Sequence, residues 1–137
     1  MTDLELMRIA EEARKFSYVP YSHFAVGAAL LSKSGKVYMG CNIENASYSP
    51  TNCAERTAVF KAVSEGEKDF VAIAVIGAPE GEKGKFCAPC GVCRQVLREF
   101  CDPSEFRVIL GTTEAVKSYA LGELLPASFS PADLKGE

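Results

Sequence analysis

Cys53, Cys90 and Cys93 are the residues whose types and spacing most directly define a chemistry in this sequence. They lie in two short stretches, Thr51-Asn52-Cys53-Ala54-Glu55-Arg56 and Pro89-Cys90-Gly91-Val92-Cys93-Arg94. Each stretch falls where a helix is expected to begin. Cys90 and Cys93 share a helical face, with Cβ atoms ~5–6 Å apart. Two sulfurs so placed can converge on one tetrahedral zinc ion at about 2.3 Å each. Cys53 completes the set from a second helix. Three protein ligands with an open fourth position are the pattern of a catalytic zinc site, not a closed structural one. Glu55 is off the helical face of Cys53, but first-turn side chains lean toward the helix N-terminus. Glu55 is therefore expected to reach over the open position without being a ligand.

Charge fits the same reading. Three thiolates on Zn²⁺ leave a net charge of about −1, which weakens the ion as a Lewis acid. Two helix N-termini, each carrying about half a positive charge, offset it. Arg56 and Arg94 can add donors to the sulfurs, and Arg56 is expected to temper the thiolate charge. A competing reading is a redox pair or a structural metal knot, since Cys87 and Cys90 form a second, overlapping Cys-x-x-Cys. Neither of those needs Cys53-Ala54-Glu55.

The elements that must position these groups belong to one domain, residues 1–137, long enough to bury a sizeable core. Apolar residues make up 47%, which excludes a disordered chain. A net charge of −3 with no basic run argues against a nucleic-acid partner. No apolar stretch approaches ~18 residues, so no membrane span is expected. Residues 1–17 are acidic and helical in pattern, unlike a secretory signal. Six cysteines without such a signal point to a reducing cytoplasm, where thiols serve metals.

In chain order, residues 3–17 read as an amphipathic helix with Leu6, Ile9, Ala10, Ala13 and Phe16 on its apolar stripe. Val19-Pro20-Tyr21-Ser22 breaks it. Residues 24–31 and about 36–43 read as strands joined by Ser34-Gly35, a hairpin. A helix from Cys53 to about Glu65 is stopped by Gly66. Phe70–Ile76 is the most continuous apolar run and reads as a central strand. A third helix is expected from Cys90 to Cys101, then strands at 106–110 and 115–120, a helical turn at 122–125 and a polar tail. The order helix-strand-strand-helix-strand-helix-strand-strand implies an α/β fold. A three-layer α/β/α sandwich on a mixed five-stranded sheet is expected, with both cysteine-bearing helix starts at one end of it.

Cys53-Ala-Glu55 followed by Pro89-Cys-x-x-Cys93 resembles the zinc-dependent nucleoside and nucleobase deaminases, in their all-cysteine version. More narrowly, the chain resembles the small homotetrameric cytidine deaminases. Tyr21-Ser-x-Phe-x-Val-Gly-Ala-Ala-Leu30, Gly40-Cys-Asn-Ile-Glu-Asn45, Thr57 to Ala62 and Glu123-Leu-Leu-Pro-x-x-Phe129 carry that resemblance over nearly the whole chain. It implies hydrolytic deamination of cytidine and 2′-deoxycytidine to the uridines, with one zinc per subunit. Residue by residue, Cys53, Cys90 and Cys93 match the zinc ligands and Glu55 the proton shuttle. Asn42 and Glu44 match the residues that bind the ribose hydroxyl. The Ala54 N–H matches a donor to the pyrimidine oxygen. Ala46 and Tyr48 match a segment lining a neighbouring subunit's site. Phe24 and Phe129 match aromatics packed on the base, the latter from another subunit.

The implied chemistry is economical. Zinc lowers the pKa of its water toward ~7, Glu55 takes that proton, and hydroxide attacks C4 of a ring protonated at N3. The same carboxyl then serves as acid for the departing ammonia. Bland readings stand beside these: Glu55 as a dipole-favoured first-turn acid, Asn42 and Glu44 as a solvated loop, Phe24 as core. His23 falls at a variable position and is expected to be exposed. Cys41 and Cys101 read as buried small side chains, and Cys87 as a spare thiol outside the helix. The alternatives are a deaminase of a nucleoside-like antibiotic of the blasticidin S type and a structural-zinc or redox thiol protein.

Overall fold

Thr2 and Glu5 start the first helix, α1 (Asp3–Ala13), by bonding reciprocally to each other's backbone N–H. The computed structural model describes residues 1–136. Leu6, Met7, Ala10 and Ala13 form the buried stripe of α1. The helix is shorter than the sequence suggests: after Ala13 the chain tightens into a 3₁₀ turn, Arg14–Phe16. That change of pitch rotates Phe16 out of the stripe, and its ring is 70% exposed.

β1 (Phe24–Ser32) and β2 (Val37–Cys41) form the expected antiparallel hairpin. α2 (Ala54–Ser64), β3 (Phe70–Pro79) and α3 (Gly91–Phe100) follow. β4 (Arg107–Gly111), β5 (Val116–Ala120) and a single-turn α4 (Leu121–Leu124) complete the core. The tail, polar in sequence, carries one more short helix, α5 (Pro131–Lys135). Ser130 and Asp133 cap it and Pro131 begins it.

The sheet order is β2-β1-β3-β4-β5. β3 pairs antiparallel with β1 and parallel with β4, the parallel crossover being made through α3. β2 and β3 both run antiparallel to β1, so they point the same way. The starts of α2 and α3 therefore lie beyond the C-terminal ends of two like-directed strands, where open α/β sheets bind ligands.

Strand alternation sorts the core into two layers. Ala28, Leu30, Ile73, Val75, Val108 and Leu110 pack with Ala58, Val59 and Ala62 of α2 and Leu97 of α3. Ala29, Ala72, Ala74, Ile76 and Ile109 face Leu6, Met7 and Ala10 of α1. β3 is buried on both faces, which is why it reads as an unbroken apolar run. No helix among the described residues is long and apolar enough to cross a membrane.

Candidate metal centre and substrate cleft

Cys53 and Cys90 are not in the first turns of their helices; each is the N-cap. Their backbones are extended, at φ −76°, ψ 156° and φ −67°, ψ 166°. A cap side chain folds back over its own first turn, and Cys90 Sγ accepts from the Cys93 N–H at 3.5 Å. The Cys90–Cys93 pair thus converges as cap and third helical residue rather than as two residues on one helical face. The same geometry answers the face problem of Glu55, because Cys53 sits off the helix end.

The three thiols meet. Cys53 Sγ lies 3.8 Å from Cys90 Sγ, Cys90 Sγ lies 3.4 Å from Cys93 Sγ, and all three sulfurs fall within 4.8 Å of one another. All are free cysteines. Metal–sulfur bonds of ~2.3 Å in a tetrahedron separate sulfurs by ~3.8 Å, so these residues fit zinc as they stand. Cys93 is buried, Cys53 half-buried and Cys90 exposed, which leaves the cluster open on one side.

The electrostatics favour thiolate at Cys53, while the hydrogen bond to Cys53 and burial push the Cys93 thiol up. The Cys53 thiol is pulled down to about 5, chiefly by the neighbouring Cys93 thiol, and by the Arg56 guanidinium against the effect of burial. Arg56 Nη2 donates to Cys53 Sγ at 3.2 Å, and its Nε is buried without a partner. Arg94, the other arginine expected to serve the sulfurs, turns away. It donates instead to the Pro89 carbonyl at 2.7 Å and to the Leu124 carbonyl at 2.6 Å. Glu55 is 4% exposed. Burial pushes its carboxyl above the usual range, and the charge on Cys53 adds to that against its own backbone N–H. A carboxyl raised in this way holds a proton more readily than an exposed one, which suits a group that must both accept and release it.

Of the residues expected to bind substrate, Asn42 and Glu44 lie in a segment paired directly beside Asn52. Ile43 and Asn52 exchange both backbone hydrogen bonds at 2.9 Å. That pairing lays the Asn42–Glu44 segment beside the residue preceding Cys53. Asn42 stitches to β1, accepting from Val26 N at 3.0 Å and donating to the Phe24 carbonyl at 2.8 Å. Glu44 accepts from the backbone of Tyr21 and Ser22, each at 3.1 Å, and from the Ser22 hydroxyl. The Ser22 hydroxyl, chiefly, holds the Glu44 carboxyl below the usual carboxylate range. Tyr21, Ser22, Glu44, Tyr48 and Thr51 line an open cleft of about 430 Å³.

Phe24 is 39% exposed and so is not core. Its ring and Cys87 Sγ both crowd Gly77, each 3.0 Å from where a Cβ would stand. Ala54 is buried and Ala46 exposed. Phe129 stands apart: its ring is exposed and its carbonyl accepts from Gln95 of α3 at 2.9 Å. Cys101 is buried and Cys41 half-buried. His23 is exposed as expected, and its Nδ1 lies 3.0 Å from Glu80 Oε1. The sequence reading passed over Tyr21, Ser22 and Thr51 as individual contributors. Tyr21 packs edge-on against Tyr48, centroids 6.2 Å apart. The signal was present in the Tyr21-Ser22 pair directly before Phe24.

Comparison with known proteins follows the same lines. Residues 1–110 match the family model described as the cytidine and deoxycytidylate deaminase zinc-binding region. A cytidine deaminase of Halalkalibacterium halodurans is 51% identical over 130 residues, covering 94% of this chain and 95% of that protein. One from Sporosarcina psychrophila is 48% identical over 130 residues, covering 95% and 93%. The crystal structure of cytidine deaminase from Burkholderia pseudomallei is similar at a TM-score of 0.84 and 46% identity. It covers 94% of this chain and 100% of that one.

Proposed function

Since this chain belongs to the cytidine and deoxycytidylate deaminase family, we propose that it converts cytidine and 2′-deoxycytidine to uridine and 2′-deoxyuridine by hydrolysis, releasing ammonia. Zinc held by Cys53, Cys90 and Cys93 would supply the Lewis acidity that makes water a nucleophile near neutral pH. Everything else is work for the protein's own groups. Glu55 takes a proton from the attacking water and delivers it to ring N3, which makes C4 electrophilic. It then takes the remaining proton from the hydroxyl added at C4 and passes it to the amino group, so that the C4–N bond breaks, ammonia leaves and the C4 carbonyl forms. The buried, raised carboxyl supports that double role.

Asn42 and Glu44 hold the ribose hydroxyl as donor and acceptor, already fixed in place by β1 and by the Tyr21–Ser22 turn. The Ala54 N–H, at the first position of α2, donates to the pyrimidine oxygen, and Phe24 packs on the base. Ala46, Tyr48 and Phe129 serve a neighbouring copy's site in a homotetramer. Their exposure in the single chain supports that reading. The setting is pyrimidine salvage in the cytoplasm, where six free thiols stay reduced. The whole chain acts as one domain.

The observation that carries the proposal is the convergence of three sulfurs within 4.8 Å beside a buried Glu55. The test is a spectrophotometric assay with cytidine, deoxycytidine and free cytosine, run beside metal analysis. Turnover of both nucleosides by protein holding one zinc per chain is expected. Stoichiometric zinc with neither nucleoside consumed would leave a structural-zinc protein in its place.

A further inference from the structure

Arg14 and Glu55 are the charged side chains buried among the described residues. The proposed reaction uses Glu55; Arg14 lies in the turn that follows α1, against β1 and the end of β3. Every N–H of its guanidinium is engaged. Nε donates to the Ala25 carbonyl of β1 at 2.8 Å. Nη2 donates to the carbonyls of Ala78 and Pro79, at the end of β3, at 3.0 and 3.3 Å. Nη1 donates to the Glu82 carbonyl at 3.0 Å and to Glu11 Oε1 at 2.5 Å. The other Glu11 oxygen accepts from the Gly84 N–H at 3.1 Å. Gly84 has no room for a side chain, since a Cβ there would stand 2.2 Å from that oxygen. Lys85 then exchanges backbone hydrogen bonds with Gly77.

Glu82, Gly84 and Lys85 belong to the segment between β3 and α3, which has no strand or helix of its own and ends on Cys90. It must deliver two of the three sulfurs to the one supplied by α2. Ala25 and Pro79 flank Phe24, whose strand partner is Pro79. We infer that Arg14 and Glu11 are positioning residues, an ion pair at the end of α1 that fixes the course of the 80–90 segment and thereby the placement of Cys90 and Phe24. Outer partners that orient ligands in this way change metal affinity or activity by about 10–100-fold when altered.

The inference rests on Cys53, Cys90 and Cys93 being zinc ligands, and the experiment separates the two. Zinc release to a colorimetric chelator is timed for the unaltered protein and for Glu11→Gln, Arg14→Lys and Gly84→Ala. Glu11→Gln keeps the shape, Arg14→Lys keeps the charge, and Gly84→Ala crowds the Glu11 carboxylate, and Ile76 beside it, while leaving every charge in place. Arg107→Ala is the control, because it removes an ion pair that ties α1 to β4, Arg107–Asp3 at 2.7 Å, away from the segment. Release faster by about tenfold or more in the three variants but not in the control is expected, with the kcat for cytidine falling more than the KM rises. Equal acceleration in the control, or none in any variant, overturns the positioning role. Absence of zinc from the unaltered protein would overturn the ligand assignment itself, and the positioning role with it.

Discussion

The first turn of α2 rests directly on β2 at Gly40: a Cβ there would stand 2.2 Å from the carbonyl oxygen of Ala54 and 2.6 Å from the Ala58 nitrogen. Ala54 lies between Cys53 and Glu55. The gap left by a missing side chain on one strand thus sets the height of the helix start that carries Cys53 and Glu55, the proposed zinc ligand and proton shuttle. Cys90 and Cys93 come from a different segment, so this contact decides whether the two halves of the cluster meet.

Gly40→Ala should therefore injure site and fold together. The methyl cannot be accommodated by a side-chain rotation, because its obstacle is backbone. Overpacking of this kind costs about 1–3 kcal/mol. Thermal melting is expected to show the loss, and metal analysis a fall in bound zinc. Native zinc content in a destabilised variant would separate the helix contact from the cluster.

Glu55→Gln tests the proton shuttle alone. Glutamine keeps the volume in a site that is 4% exposed but cannot carry the proton. Turnover of cytidine should drop by at least about 10²–10⁴-fold, the usual weight of general acid–base catalysis. Zinc content should be unchanged. Activity within a few fold of the unaltered protein would remove the carboxyl from the mechanism.

How much of this was legible beforehand depends on what the sequence encodes locally. The run Phe70–Ile76 announces a strand buried on both faces, and β3 is one. The cysteine spacing announces a metal cluster, and the three sulfurs converge. A cap and a first-turn residue, however, differ by one backbone rotation, so the spacing suggests helical residues at Cys53 and Cys90 where the structure has caps. Phe16 fits the helical stripe in sequence but leaves it in the structure, because nothing nearby signals the tightening of the helix at Arg14. α5 was readable from Ser130-Pro131 and Asp133 but was outweighed by the polarity of the tail. The Arg14 contacts with Ala78 and Glu82 span 64 and 68 residues, and no local pattern reports them.

Glu44 links the cleft to pH. Its carboxylate is held below the usual range, first by the Ser22 hydroxyl and also by the Tyr21 and Ser22 N–H groups. A folded-state pKa below the unfolded one means the ionised group stabilises the native turn above the unfolded value of ~4.3. That contribution disappears as pH falls through the lower folded value. The Tm difference between the unaltered protein and Glu44→Gln should accordingly be present near neutrality and shrink toward zero in acid. A difference independent of pH would contradict it. In the same cleft, Glu44→Ala should raise the KM for cytidine far more than that for free cytosine.

Cys87 is the thiol nearest the cluster that lies outside it. Burial, first, and the Glu55 and Cys53 charges raise its pKa, which makes it a poor thiolate and a poor ligand. Cys87→Ser should retain full zinc and most activity, whereas Cys90→Ser should lose the metal. Zinc loss in Cys87→Ser would redraw the ligand set.

Arg56 provides the last test, and it separates charge from packing. Its Nη2 lies 3.2 Å from Cys53 Sγ and its Nε is buried without a partner, so its orientation is set largely by the sulfur. With the guanidinium present, part of the Cys53 charge is taken up by the hydrogen bond. Without it, more of that charge falls on the ion, which becomes a weaker Lewis acid. Arg56→Ala should lower kcat by about 10–100-fold with little change in the KM for cytidine. Arg56→Lys, which restores a positive charge without the planar fork, should recover part of the loss. Unchanged turnover together with an unchanged rate of zinc release would reduce Arg56 to a space-filling side chain, because a counter-charge on a ligand sulfur must register in one or the other.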